Sequence, residues 1–151
     1  MAHAGDATRT GDESAGWSAT SPSCAVTEEL VETLVRAGGY RHPLFHPTVE
    51  ERRAGRSAPL MGQGVLLLAG GLAEQTGALD DAVALVGLEN VSFHAMVHAG
   101  ASLRLVINLL GTAVTASGKQ RSEYRWTVLD DRDTVVLEAT AVLLRTSNEE
   151  R

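Results

Sequence analysis

The longest apolar run in the chain, Gly62 to Gly77 (GQGVLLLAGGLAEQTG), begins and ends in glycine. Within it Val65, Leu68, Ala69, Leu72 and Ala73 keep the i, i+3, i+4, i+7, i+8 spacing of one helix face. Leu66 and Leu67 widen that stripe until most of the circumference is apolar, which predicts a buried helix. Gly70 and Gly71 each cost about 1 kcal/mol relative to Ala inside a helix. Their presence predicts that something approaches the backbone closely there. Glu74, Gln75 and Thr76 restore polarity, and Gly77 suits the residue just past a helix end.

Before this segment, Thr27 to Ala37 reads as a helix. Thr27 is its cap, Glu28 and Glu29 fill its first turn, and Leu30, Val31, Leu34 and Val35 form its buried stripe. Gly38-Gly39 ends it, and the loop YRHPLFHP follows, Tyr40 to Pro47. Thr48 and Glu51 have the spacing of a capping box, which starts a short helix over Val49 to Ala54.

After Gly77 the period changes to two. Val83, Leu85, Gly87, Glu89, Val91 and Phe93 take alternate positions in one strand, and Ala95 to Gly100 is a corner. Leu103, Leu105, Ile107 and Leu109 mark the next strand, and Gly111 to Lys119 reads as a turn or loose edge. Tyr124, Trp126 and Val128 mark a third strand, Asp130 to Asp133 a charged hairpin tip, and Val135 to Leu143 the last strand. Short connections make the sheet antiparallel. The expected class is α+β, an antiparallel sheet wrapped around a long central helix.

Composition sets the domain boundaries. Residues 1–22 hold mostly Gly, Ser, Thr, Ala and charge, with Trp17 alone among them, and bury too little apolar area to offset ordering. The expectation is a flexible tail over 1–22, one domain over 23–146, and a frayed end over 147–151. The net charge is −6 and no basic cluster is visible along the chain, which argues against a nucleic-acid partner. The single cysteine, Cys24, excludes an internal disulfide and fits a reducing compartment. The N-terminus has no apolar signal-peptide core, and no apolar run reaches the ~18 residues of a membrane span. A cytoplasmic protein with no membrane partner is expected. Its Ala, Gly and Arg richness suits a GC-rich bacterial gene.

Three stretches carry a resemblance. They are Gly64-Val65-Leu66-Leu67 at the helix start, the corner Phe93-x-x-Met96-Val97-x-x-Gly100-x-x-Leu103, and the loop Tyr40 to His46. Together they resemble the hotdog-fold acyl-thioester enzymes, in particular the MaoC-like and FabZ-like 3-hydroxyacyl dehydratases. The corner is similar to the family's Phe-x-x-Pro-Val-x-x-Gly-Asp-x-Leu, and the loop to Gly-Asp-x-Asn-Pro-Leu-His. The resemblance covers about Thr27 to Arg145. It implies a hotdog fold, two protomers paired around an acyl tunnel, and a coenzyme A or acyl-carrier-protein thioester as substrate. No cofactor and no metal are implied. The pair is expected to be a homodimer, or a heterodimer with another hotdog subunit.

The chain departs from the family at the reacting groups. With Pro43-Leu44 aligned to the motif, Tyr40 stands in the place of Asp and Phe45 in the place of His. A shift of one residue brings His46 to the His position. The resemblance then implies His46 as the base that takes the C2 proton, with Tyr40 or His42 assisting. Each also reads as a loop residue: His46 as a cap or solvent group, Tyr40 as a packed aromatic, His42 as a surface residue. At the helix start, Gln63 and Gly64 replace the family's His-Gly. Their amides are expected to hold the thioester oxygen, or Gln63 only caps the helix. Phe45 and Met61 are expected to join them around the substrate.

His94 and His98 lie four residues apart, which on a strand is about 13 Å, too far to share an ion. The functions that fit are a dehydratase or hydratase of acyl thioesters, a thioesterase or related enzyme on the same fold, and a non-catalytic partner of another hotdog dehydratase.

Overall fold

The structure, a computed structural model, describes residues 16–146. Thr27 caps the first helix, α1 (Glu28–Gly38), by accepting the Leu30 amide on its Oγ1 at 3.1 Å. Gly39 closes α1 with φ of 70°, a left-handed conformation that a residue without a Cβ adopts freely. A 3₁₀ turn (Pro43–Phe45) and a short helix, α2 (Val49–Arg53), lead to the central helix α3 (Gly62–Gln75). Thr48 caps α2 through the Glu51 amide, as the capping-box spacing predicts. The Glu51 carboxylate, however, pairs with Arg56.

Four long strands follow α3, or lie beyond it: β4 (Ala82–Phe93), β6 (Ser102–Val114), β7 (Gln120–Leu129) and β8 (Val135–Arg145). Short strands complete the set: β1 (Ser18–Thr20), β2 (Cys24–Ala25), β3 (Pro59–Leu60) and β5 (Val97–His98). The main sheet runs β1-β6-β7-β8-β4, antiparallel throughout, with β2 also on β6 and a separate β3-β5 ladder. This is the α+β arrangement expected, a sheet curled around α3.

Alternation gives the core. Leu103, Leu105, Ile107 and Leu109 of β6 are buried, as are Tyr124, Trp126 and Val128 of β7 and Leu137, Ala139, Ala141 and Leu143 of β8. The register sets Tyr124 beside Ala141 and Trp126 beside Ala139, so small residues on β8 make room for the two large rings. Against this face α3 places Val65, Ala69, Leu72 and Ala73, and α1 adds Val31 and Val35.

Four expectations change. Residues 18–20 are strand, not tail. Ser18–Thr20 pairs with β6, and the buried Ser21 hydroxyl accepts the Leu105 amide at 2.8 Å. Backbone pairing at a sheet edge needs no apolar side chains, so composition did not reveal it. The tails expected over residues 1–15 and 147–151 lie outside the described residues. Second, α3 is buried on one side only, with Leu67 61% exposed. A Cβ on Gly70 or Gly71 would meet nothing within 4 Å. The close approaches occur at the other end of the helix. A Cβ on Gly62 would lie 2.7 Å from the Phe93 ring, and one on Gly64 2.8 Å from Leu60 and Met61.

Third, β4 has no buried face of alternate residues. It is the outer strand of the sheet, broken by register shifts, and leaves Val83, Leu85, Val86, Leu88 and Phe93 exposed. Fourth, β6 continues to Val114, into the stretch from Gly111 to Lys119 expected to be a turn or loose edge. Its polar end is held on β7 by the ladder and by Thr112 and Ser122, whose hydroxyls lie 3.2 Å apart.

These glycine environments predict opposite effects of one substitution. Gly64→Ala inserts a methyl into a filled space and lowers stability by about 1–3 kcal/mol. Gly71→Ala gains about 0.5–1 kcal/mol from helix propensity alone. Urea midpoints for the two variants check this. A loss at Gly71 would instead place a partner's backbone against that face.

Candidate functional site

The first turn of α3 opens onto a cavity of about 420 Å³. Its apolar walls include Leu44, Phe45, Leu60, Phe93, Met96 and Val136, and its polar groups come from Gln63 and His94. Met61 stands at the cap position of α3 and no side chain caps the helix. The Gly64 and Val65 amides both donate to the Met61 carbonyl, at 2.9 and 3.2 Å. The first two amides, Gly62 and Gln63, remain as the open positive end of the helix, and both residues line the cavity. Such an end holds an anion or a carbonyl oxygen that gains negative charge.

The expected role of the Gly64 amide is therefore corrected. Its N–H is already bonded, and Gly64 is glycine because Leu60 and Met61 fill the space beside it. Gln63, Phe45 and Met61 line the cavity.

The loop residues divide. Pro43 begins a 3₁₀ turn that brings Phe45 to the cavity wall, with Tyr40 edge-on to it at 5.0 Å between ring centres. His46, next in the chain, takes the other side. Its Nε2 lies 2.7 Å from the Tyr40 carbonyl oxygen. A carbonyl only accepts, so Nε2 is the donor in this contact. His46 and Tyr40 line a second depression, also about 420 Å³, together with Arg36, Arg41, Arg52 and Glu32. Phe45 is the wall common to both depressions. His42 is exposed and its Nδ1 accepts the Leu44 amide at 3.1 Å, which makes it the cap of the 3₁₀ turn.

His94 and His98 have separate partners. His94 Nε2 lies 3.5 Å from Glu138 Oε2, while His98 Nδ1 lies 3.1 Å from Ser57 Oγ. Sequence reasoning weighed His94 only as a metal ligand and missed its place on the cavity lining. The signal was adjacency to Phe93, whose ring packs on Gly62. The three arginines of the second depression were missed as well, because they are scattered along the chain and only the fold gathers them.

No protein-family model matches the sequence, and no curated protein matches it. Solved structures do. The MaoC-like dehydratase from Rhodospirillum rubrum superposes with a TM-score of 0.76 at 18% identity, over 91% of this chain and 95% of that one. The HadBC 3R-hydroxyacyl-ACP dehydratase complex from Mycobacterium tuberculosis gives 0.68 at 22% identity, over 86% and 96%. A Mycobacterium tuberculosis protein with a double hotdog fold gives 0.74 at 21% identity, over 93% of this chain and 44% of that one. The chain therefore has the hotdog fold, and it shares that fold with MaoC-like dehydratases. Among the described residues no helix is long and apolar enough to cross a membrane.

Proposed function

We propose that this chain is an acyl-thioester-binding subunit of a MaoC-like dehydratase or hydratase, and that a second hotdog subunit supplies the acid and base. One observation carries the reading. Phe45 occupies the cavity wall where the family resemblance calls for histidine, while His46 is turned away onto the Tyr40 carbonyl. In this reading the acyl group lies in the apolar cavity and Phe45 limits its depth. The Gly62 and Gln63 amides receive the thioester oxygen. As the C2 proton leaves, that oxygen takes on enolate charge, and the helix end stabilises it without reorganising. The C3 hydroxyl then departs with a proton, giving the enoyl thioester and water. Hydration is the reverse. The chemistry is acid–base throughout and requires no cofactor.

The outer edge of β4 supports pairing. A long edge strand with exposed Val83, Leu85, Val86 and Leu88 is a template for another strand. The HadBC protein is a complex of hydroxyacyl-ACP dehydratase, and the double-hotdog protein is about twice as long as this domain. The carrier, coenzyme A or acyl-carrier protein, enters between the two subunits, in the bacterial cytoplasm, where the lone Cys24 stays reduced.

A second reading makes the chain self-sufficient, as a homodimeric dehydratase or a thioesterase. It is favoured by His94, which lines the cavity with Glu138 3.5 Å from its Nε2. There His94 or a repositioned His46 would be the base, with Tyr40 or His42 assisting.

An assay with enoyl-CoA and hydroxyacyl-carrier substrates separates them. The pure chain is expected to give no turnover, and Tyr40→Asp with Phe45→His to introduce it. Turnover by the unmodified chain that His94→Ala or His46→Ala abolishes would establish the second reading. Release of free thiol would mark hydrolysis. Pairing along β4 has its own measurement: Leu85→Lys with Leu88→Lys is expected to abolish sedimentation as a complex with the second hotdog subunit, and an intact complex would move the interface elsewhere.

A further inference from the structure

We infer that Asn90, in a bulge of β4, is a positioning residue for the proposed acyl-thioester site: its left-handed backbone turns Phe93 onto Gly62 and so fixes the open end of α3. The inference rests on the acyl-thioester reading above. On β4, Leu88 and Glu89 stand opposite Ala141 and Thr140 of β8, and Ser92 and Phe93 stand opposite Glu138 and Leu137. Between these pairs β4 has two residues, Asn90 and Val91, where β8 has one, Ala139. That is a bulge with one extra residue. Opposed residues share a face of the sheet, so Leu88 lies on the face of buried Ala141 and Phe93 on that of buried Leu137. Strict alternation from Leu88 would place residues 90 and 92 on that face and turn Phe93 to the other. The extra residue corrects the phase. Val91 then packs against the core, and the Phe93 ring reaches Gly62.

Asn90 absorbs the extra residue with a φ of 52°. Residues with a Cβ avoid this region, Asn enters it more readily than most, and a β-branched residue is strongly disfavoured there. The Asn90 side chain is exposed, so a substitution removes no core contact and acts through the backbone. Burial does little to hold β4 in phase, because it is the outer strand and leaves Val83, Leu85, Val86 and Leu88 exposed. Register is strongly specified only where one face is buried. Beyond the bulge the chain is pinned again, by the His94 amide, which donates to the Val136 carbonyl at 2.8 Å. Phe93, His94, Ala95 and Met96 all line the cavity, so the phase set at Asn90 passes directly into its wall.

Two measurements on the full chain test this. One is the nuclear Overhauser effect between the Gly62 α-protons and the Phe93 ring, which reads their packing without any ligand. The other is calorimetric titration with crotonyl-pantetheine. Asn90→Val, folded, is expected to lose the Overhauser effect and to bind the probe roughly tenfold more weakly, the size of the left-handed penalty. Asn90→Gly keeps the backbone conformation and is expected to retain both at the parent's level. Should Asn90→Val fail to fold, Asn90→Ala carries the same test, with losses in the same direction. A folded Val or Ala variant with the parent's Overhauser effect and affinity would overturn the inference. So would an Asn90→Gly variant that loses as much as Asn90→Val, because the left-handed backbone would then not be the cause. Loss of the Overhauser effect with undiminished affinity would overturn it too, since Phe93 would then not fix the site. A parent chain that does not bind crotonyl-pantetheine would sink the acyl-thioester reading, while the Overhauser comparison would still decide whether Asn90 sets Phe93.

Discussion

The start of α3 is packed against its surroundings with no room for a side chain at two positions. Phe93, the last residue of β4, lies across Gly62, and Leu60 and Met61 close around Gly64. That packing fixes where the open helix end points, because it locks the first turn between the β3-β5 ladder and the end of the sheet. The cavity follows from it. Phe93 forms one wall, the 3₁₀ turn brings Phe45 to another, and the two unbonded amides lie between. A side chain at Gly62 would force the Phe93 ring and the helix start apart and open the site to water, where a helix dipole acts weakly on an oxygen.

Much of the fold was legible because burial imposes a period. Leu103 to Leu109, Tyr124 to Val128 and Leu137 to Leu143 alternate in the sequence because one face of each strand meets α3. Thr27 announced α1 and Thr48 announced α2, since an uncapped helix end leaves its amides unbonded. The departures fall where the chain lies away from its own core. Strand β4 shows alternate positions in the sequence, yet Val83, Leu85, Val86, Leu88 and Phe93 are exposed on the outer strand of the sheet. Gly70 and Gly71 predict close contact, yet a Cβ on either would meet nothing within 4 Å among the described residues. Alternation cannot distinguish a residue that faces its own core from one that faces outward.

The site was legible in part. The resemblance pointed to the loop from Tyr40 to His46 and to the helix start, and both border the cavity or its neighbour. Which loop residue faces inward was decided by a single turn. Pro43 fixes the turn, Phe45 ends inside, and His46 ends on the Tyr40 carbonyl. Spacing alone could not settle that, because consecutive residues in a loop have no fixed period. His94 and the three arginines illustrate the complementary failure. Each is unremarkable in its own segment, and only tertiary packing gives it neighbours.

The claim at the centre of this account is that the first two amides of α3 hold the thioester oxygen. Amide chemical shifts measured during titration with crotonyl-pantetheine test it directly. The account predicts large shifts at Gly62 and Gln63 and little change at Gly64, whose N–H is already bonded to Met61. Saturable binding that leaves Gly62 and Gln63 unmoved would contradict it.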